Sequence, residues 1–288
     1  MSEVAGTIVA AFGRHYEVEL DNGTSVTGFP LGKKSPFACG DRVELALSAS
    51  DQGQIMRHQP RTSLLYRSDT YREKLIAANA TQLLLVVATE PAFSDELLTR
   101  ALVAAEHDQL WVVIVLNKCD IAAHLPAARA VLAPYAAIGY TVIELSAKQD
   151  VSQLRPWLAG KASVLVGQSG MGKSTLINAL LPDAMAATRE ISTALGSGKH
   201  TTTHARCYRL DAESTIIDCP GLQEFGLTHI SEPQIAAAFP EFRSWLGQCR
   251  FRDCQHTAEP DCALKNAEKD GSISARRLEI FRRIVDSR

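Results

Sequence analysis

The sequence predicts an α/β protein with a doubly wound core, a small β-barrel ahead of that core and a helical segment behind it, and three observations carry the reading. From Ala77 to about Leu227, strand-length apolar runs alternate with helical patterns, as a mostly parallel sheet covered on both faces requires. Residues 1 to about 62 read instead as short strands joined by tight turns. Beyond residue 228 the pattern is helical, and three cysteines and one histidine fall within fourteen residues there.

The first segment contains Thr7-Ile8-Val9-Ala10, Tyr16-Glu17-Val18-Glu19-Leu20, the hairpin turn Asp21-Asn22-Gly23, Ser25-Val26-Thr27-Gly28 and a further strand from Asp41 to Leu47. A barrel of the OB type fits that length, and such barrels commonly bind RNA or single strands. Few aromatics occupy alternating positions, so direct stacking on bases is left open. Lys33-Lys34 and the tail residues Arg276, Arg277, Arg282 and Arg283 can form basic patches, although solvated helix faces explain the arginines as well.

In the core, Ser94 is placed to cap a helix that starts at Asp95. The run Leu110 to Leu116 is a strand that ends at Asn117-Lys118-Cys119-Asp120, and nucleotides bind at the carboxyl ends of strands in open α/β sheets. An N-K-x-D loop suits guanine, because the Asp120 carboxylate can accept both N1–H and the N2 amine. The stem of Lys118 would lie along the base, and Asn117 would tie the loop to neighbouring backbone. Ser146-Ala147-Lys148 follows the strand Tyr140 to Leu145 and matches the S-A-K loop whose backbone N–H meets guanine O6.

Ala162 to Val166 is the next strand, and it runs into Gly167-Gln168-Ser169-Gly170-Met171-Gly172-Lys173-Ser174. This is the P-loop pattern G-x-x-x-x-G-K-S/T, in which glycines let backbone N–H groups converge on phosphate oxygens. Lys173 would reach the β and γ phosphates, Ser174 would offer its hydroxyl to Mg²⁺, and the following helix through Leu176, Ile177 and Leu180 points its positive end at the anion. Gly198-Lys199-His200-Thr201-Thr202-Thr203 suits a switch I segment, with Thr202 chosen to complete the Mg²⁺ shell. Asp218-Cys219-Pro220-Gly221 reads as D-x-x-G, with Asp218 holding Mg²⁺ through water and the Gly221 N–H on the γ-phosphate. The order is unusual, since the base-recognising loop precedes the P-loop. A circularly permuted GTPase follows from it.

Leu222 stands where such enzymes place a water-orienting glutamine, and Gln223 is one position late, so slow unstimulated hydrolysis is expected. His200 is the internal candidate to orient or deprotonate the attacking water, its alternative being a solvated loop histidine. Cys249, Cys254, His256 and Cys262 match a closed tetrahedral Zn²⁺ site that serves folding rather than catalysis; disulfides are the competing reading. Cys39, Cys119, Cys207 and Cys219 are scattered and read as packing or loop residues.

The 288 residues suffice for two or three modules, and 46% hydrophobic content supports sizeable cores. The longest apolar runs are strand-length, far below the roughly 20 residues of a membrane span. The N-terminus lacks the basic leader of a signal peptide, which makes the cytoplasm the expected location. A net charge of −2 neither favours nor excludes nucleic acid.

With barrel, N-K-x-D, S-A-K, G-Q-S-G-x-G-K-S-T, H-T-T-T, D-x-P-G and C-x4-C-x-H-x5-C in that order, the chain resembles the ribosome small-subunit-dependent GTPase A family over nearly its whole length. The resemblance implies an OB-fold RNA-binding domain over 1–62, a circularly permuted P-loop GTPase over 63–228 and a helical zinc-binding domain over 229–288. It implies a monomer acting on the 30S subunit and its 16S rRNA late in maturation, with GTP hydrolysis stimulated by the subunit. GTP contacts carry over to Asn117, Lys118, Cys119 and Asp120 and to Gly167 through Thr175, zinc ligands to Cys249, Cys254, His256 and Cys262, and a catalytic role to His200 beside Thr202 and Asp218. Two other readings remain at this stage: an RNA-binding module gated by nucleotide with incidental hydrolysis, and a P-loop ATPase with an accidental N-K-x-D.

Overall fold

The computed structural model describes residues 3–32, 36–68, 73–182, 205–219, 226–257 and 259–287. Strands β1 (Glu3–Ala11), β2 (Tyr16–Leu20), β3 (Ser25–Pro30), β4 (Arg42–Leu47) and β5 (Gln52–His58) pair in the order β1-β2-β3-β5-β4 and close back onto β1. Alternate residues point inward, so Ile8, Tyr16, Val18, Leu20, Val26, Val43, Leu45 and Ile55 fill the barrel with Phe37. Asp41 is fully buried at its rim and accepts from the Ala38 N–H and from Nε and a terminal nitrogen of Arg61, each at 2.7 Å, which fixes the barrel to the segment that follows. Strand β5 was not among the expected elements, and it completes the closure.

A hairpin of β6 (Leu64–Ser68) and β7 (Glu73–Ala78) leads into the core sheet. Its strands are β8 (Gln82–Ala88), β9 (Trp111–Asn117), β10 (Thr141–Glu144), β11 (Ala162–Val166), β12 (Ala205–Arg209) and β13 (Thr215–Asp218), in the order β10-β9-β8-β11-β13-β12. The first five in that order run parallel, and β12 is antiparallel to β13. Every residue of β8 is buried, as expected of a strand covered on both faces. Helices α1 (Asp95–His107), α2 (Leu125–Ala137), α3 (Arg155–Leu158) and α4 (Lys173–Leu180) belong to this layer. Sheet order turns at β11. The strands earlier in sequence lie on one side of it and the later ones on the other, and such a switch point opens a crevice at the strands' carboxyl ends.

Strand β12 also pairs antiparallel with β1, so barrel and core share one continuous sheet. Arg206 reaches Glu17 at 2.5 Å across that seam, and Arg209 pairs with Glu19 beside it.

The C-terminal segment contains α5 (Glu232–Ala237), α6 (Ala263–Lys269) and α7 (Ala275–Asp286). Phe239 and Phe242 stack with ring centres 4.7 Å apart, Phe281 meets both edge-on, and all three are fully buried. Such rings each contribute about 1.5–3 kcal/mol through burial. The tail arginines form neither a free basic patch nor a simple solvated face. Arg277 is buried, ion-paired with Glu241 at 2.6 Å, donating to Thr99 Oγ1 at 2.9 Å, with its guanidinium over the rings of Tyr135 and Phe239. Arg276 binds both carboxylate oxygens of Asp95 at the start of α1, Arg283 pairs with Glu279, and Arg282 donates to the His256 carbonyl. Apart from Glu279, which lies within one turn of Arg276 and Arg283, the partners of Arg276, Arg277 and Arg282 are 26 to 181 residues away, so local spacing could not reveal them.

Candidate functional site

The strand registers set Asn117, Leu145, Val166 and Asp218 at one edge of the sheet: Ala88 faces Asn117, Glu144 faces Leu116, Val166 faces Leu85 and Leu165 faces Asp218. The three nucleotide-type loops meet there through one side chain. Asn117 is 2% exposed, its Oδ1 accepts from the N–H of Lys118 at 2.8 Å and of Ala147 at 2.9 Å, and its Nδ2 donates to the Met171 carbonyl at 2.9 Å. The N-K-x-D, S-A-K and P-loop segments are thereby tied to a common point. A second tie is the Cys119 N–H on the Leu145 carbonyl.

The P-loop glycines are required by space as well as by conformation. Gly167 has φ +150° and a Cβ there would lie 2.2 Å from the Val86 carbonyl oxygen; at Gly172, φ +90°, it would lie 2.4 Å from Asn117 Nδ2. Gly172 starts α4, and Ser174 and Thr175 stand exposed in its first turn. Lys173 Nζ rests on the carbonyls of Gly167 (2.6 Å) and Gln168 (2.8 Å). Partial burial pulls the Lys173 ammonium below its ordinary pKa, and the nearby Asp218 carboxylate opposes that. Ser169 is exposed and Met171 buried. The loop therefore offers a helix N-terminus, a lysine and a hydroxyl to an anion, with a buried carboxylate alongside. A hydroxyl, a carboxylate and phosphate oxygens are the donors that suit Mg²⁺.

Asp120 is exposed, and its carboxyl lies below the usual range, chiefly because the Ser146 hydroxyl favours the charged form. An ionised, outward-facing acceptor beside exposed Lys148 is what a pair of base N–H donors needs. His200, Thr202 and Gly221 lie outside the described residues, as do Leu222 and Gln223.

Among the described residues one other cluster has metal-ligand chemistry. Cys249, Cys254, His256 and Cys262 place their ligand atoms within 4.8 Å of one another. His256 Nδ1 lies 3.5, 3.6 and 3.3 Å from the sulfurs of Cys249, Cys254 and Cys262. A tetrahedral zinc with ordinary Zn–S and Zn–N bonds sets that edge at about 3.6 Å, so the four residues fit the ion. Burial pulls the His256 pKa down and leaves the imidazole neutral, as ligation requires, and His256 holds a left-handed φ of +60° to face the sulfurs. The Ala263 N–H points at Cys249 Sγ from 3.4 Å, supporting a thiolate from the second layer.

Sequence reasoning missed contacts around these loops. Thr89 and Glu90, at the end of β8, bond to Lys118, and Gln168 Oε1 accepts from the Ser94 N–H at 2.7 Å. Nothing in their local spacing signals this, since they lie 28 to 74 residues from their partners. On the barrel, Phe12 and His15 stack at 4.9 Å and Phe29, 42% exposed, lies near His15, so rings distant in sequence gather on one surface.

Comparison with known proteins agrees with this geometry. The family model described as RsgA GTPase matches residues 58–228. The small ribosomal subunit biogenesis GTPase RsgA of Nitrosospira multiformis is 53% identical over 282 residues, 98% of this chain and 90% of that protein. Its namesake from Burkholderia pseudomallei is 53% identical over 285 residues, 97% of this chain and 91% of the relative. Among solved structures, YjeQ from Thermotoga maritima superposes with a TM-score of 0.74 at 28% identity, covering 99% of both chains. YloQ, described as a circularly permuted GTPase, gives 0.71 at 26% identity, covering 99% of this chain and 95% of its own.

Proposed function

The chain belongs to the RsgA GTPase family, and from that premise we propose that it is a GTP hydrolase that binds the 30S ribosomal subunit and assists its late maturation, with the subunit stimulating hydrolysis. The observation that supports this most is the Asn117 junction, which brings a guanine-type loop, its S-A-K partner and a P-loop to one edge of the sheet. An accidental N-K-x-D in an ATPase has no reason to be held this way.

In this reading Asp120 accepts the two guanine donors, Lys118 lies along the base, and Ser146, Ala147 and Lys148 close over its O6 edge. Gly167 through Thr175 cradle the phosphates, and Lys173 leaves the Gly167 and Gln168 carbonyls for phosphate oxygens of greater charge. Ser174 and Thr202 would hold Mg²⁺, with Asp218 acting through water; the ion supplies charge neutralisation at the β and γ phosphates. His200 orients the attacking water and the Gly221 N–H meets the γ-phosphate. One structural Zn²⁺ on Cys249, Cys254, His256 and Cys262 holds the C-terminal segment together. The protein works as a monomer in the cytoplasm, and its barrel contacts 16S rRNA. Among the described residues no helix is long and apolar enough to cross a membrane.

Sedimentation with purified 30S subunits tests the partner. Binding that is tighter with a non-hydrolysable GTP analogue than with GDP is expected, and equal binding in both states contradicts a nucleotide-controlled action on the subunit.

A further inference from the structure

The segment from Thr89 to Ser94, which joins β8 to α1, belongs to none of the nucleotide motifs yet touches two of them. Thr89 is 5% exposed. Its N–H donates to the Asn117 carbonyl at 3.1 Å and its hydroxyl donates to the Lys118 carbonyl at 2.8 Å, so one residue holds two successive carbonyls of the N-K-x-D loop. Lys118 has φ +61°, a left-handed conformation that is strained for an L-residue and persists only where the surroundings impose it.

Four bonds impose it here. The Lys118 N–H is held by Asn117 Oδ1, its carbonyl by the Thr89 hydroxyl at 2.8 Å and the Ile121 N–H at 3.0 Å, and its ammonium by the Glu90 carbonyl at 2.7 Å. Anchored at both ends, the lysine stem is drawn across the site: a Cβ built on Gly172 would lie 3.8 Å from Lys118 Cε. At its far end the same segment meets the phosphate loop, where Ser94 donates to Gln168 and a Cβ on Gly170 would meet the Pro91 ring at 3.4 Å. A buried threonine at a strand end needs only some acceptor. This one is spent on the single residue of the motif whose backbone is strained.

We propose that Thr89 is a positioning residue for guanine recognition: its hydroxyl fixes the Lys118 peptide in the left-handed conformation and, with the Glu90 carbonyl, sets the lysine stem as the wall along which the base lies. The assignment rests on the reading of Asn117 to Asp120 as the base-recognising loop. Because the hydroxyl acts on the base wall and not on the phosphate cradle, its loss falls on guanine nucleotides and spares the weak binding of adenine nucleotides.

The test uses the full chain. Fluorescent GDP and ADP analogues are titrated against wild type, Thr89→Val and Thr89→Ser, and thermal unfolding is followed in parallel. Valine keeps the shape and deletes the donor, so GDP affinity falls about fivefold, the size expected when a part-buried carbonyl keeps the Ile121 N–H but loses its second donor, while ADP affinity stays put. Serine restores GDP affinity to within about twofold. Thr89→Ala carries the same expectation and the same refutation should the valine variant not fold. Wild-type GDP affinity in Thr89→Val, or equal weakening of GDP and ADP, overturns the role given to Thr89. A wild-type protein with no preference for GDP over ADP overturns the base-recognition reading itself.

Discussion

Replacing Asn117 by alanine removes the side chain that joins the N-K-x-D, S-A-K and P-loop segments. Three backbone groups then lose their partner: the N–H of Lys118, the N–H of Ala147 and the carbonyl of Met171, all within 2.9 Å of the side chain. Each buried group left unsatisfied costs about 1–3 kcal/mol, and because water can enter a crevice the lower figure applies. The sum is about 3 kcal/mol, or roughly two powers of ten in nucleotide affinity if the loosening stays local. Asn117→Asp is the sharper companion, since it keeps the two accepting contacts but sets an oxygen where Nδ2 faces the Met171 carbonyl. Titration with a fluorescent GDP analogue, alongside a thermal melt, reads both variants. A hundredfold loss for alanine and a substantial loss for aspartate are expected, with little change in the melting temperature of the whole chain. Affinity within threefold of wild type for Asn117→Ala would refute the claim that this junction assembles the site.

Asp120→Asn exchanges one of the acceptors for a donor, so GTP binding should fall on the order of a hundredfold while xanthosine nucleotides gain; nucleotide competition reads it, and unchanged GTP affinity contradicts the base assignment. Freshly purified protein should contain one zinc per chain, and Cys254→Ala or chelation should loosen residues 249–262 and weaken 30S association while leaving nucleotide affinity intact; a metal content well below one, or a mapped disulfide, argues otherwise. Glu241→Ala strands the buried guanidinium of Arg277 and should cost about 3–5 kcal/mol in denaturant unfolding, whereas Arg276→Ala, at a half-exposed pair, should cost under about 1 kcal/mol. Equal effects would contradict the larger weight given to the buried Arg277–Glu241 pair over the exposed Arg276–Asp95 pair.

What the sequence revealed and what it hid divide along a physical line. The P-loop, N-K-x-D, S-A-K and D-x-x-G segments are local: each packs its chemistry into a few consecutive residues at the end of an apolar run, so spacing alone exposes them. The Cys/His set is compact for the same reason. Strand β12 and the β6–β7 hairpin escaped notice because Ala205–Arg209 and Leu64–Ser68 lack clean alternation and acquire their burial from distant neighbours. Arg277 looked like a surface cation because Glu241, Thr99 and Tyr135, which make its burial tolerable, come 36 to 178 residues earlier. Thr89 carries no motif at all. Its meaning depends on the backbone of Lys118, which only the folded chain brings against it.

Single-turnover GTP hydrolysis, with and without saturating 30S subunits, tests the central claim most directly. With Leu222 where a water-orienting glutamine would stand, turnover of the free protein should be slow, the subunit should accelerate it strongly, and His200→Ala should lose most of that acceleration with GTP affinity nearly unchanged. Hydrolysis that proceeds at the same rate with and without 30S subunits would contradict the account.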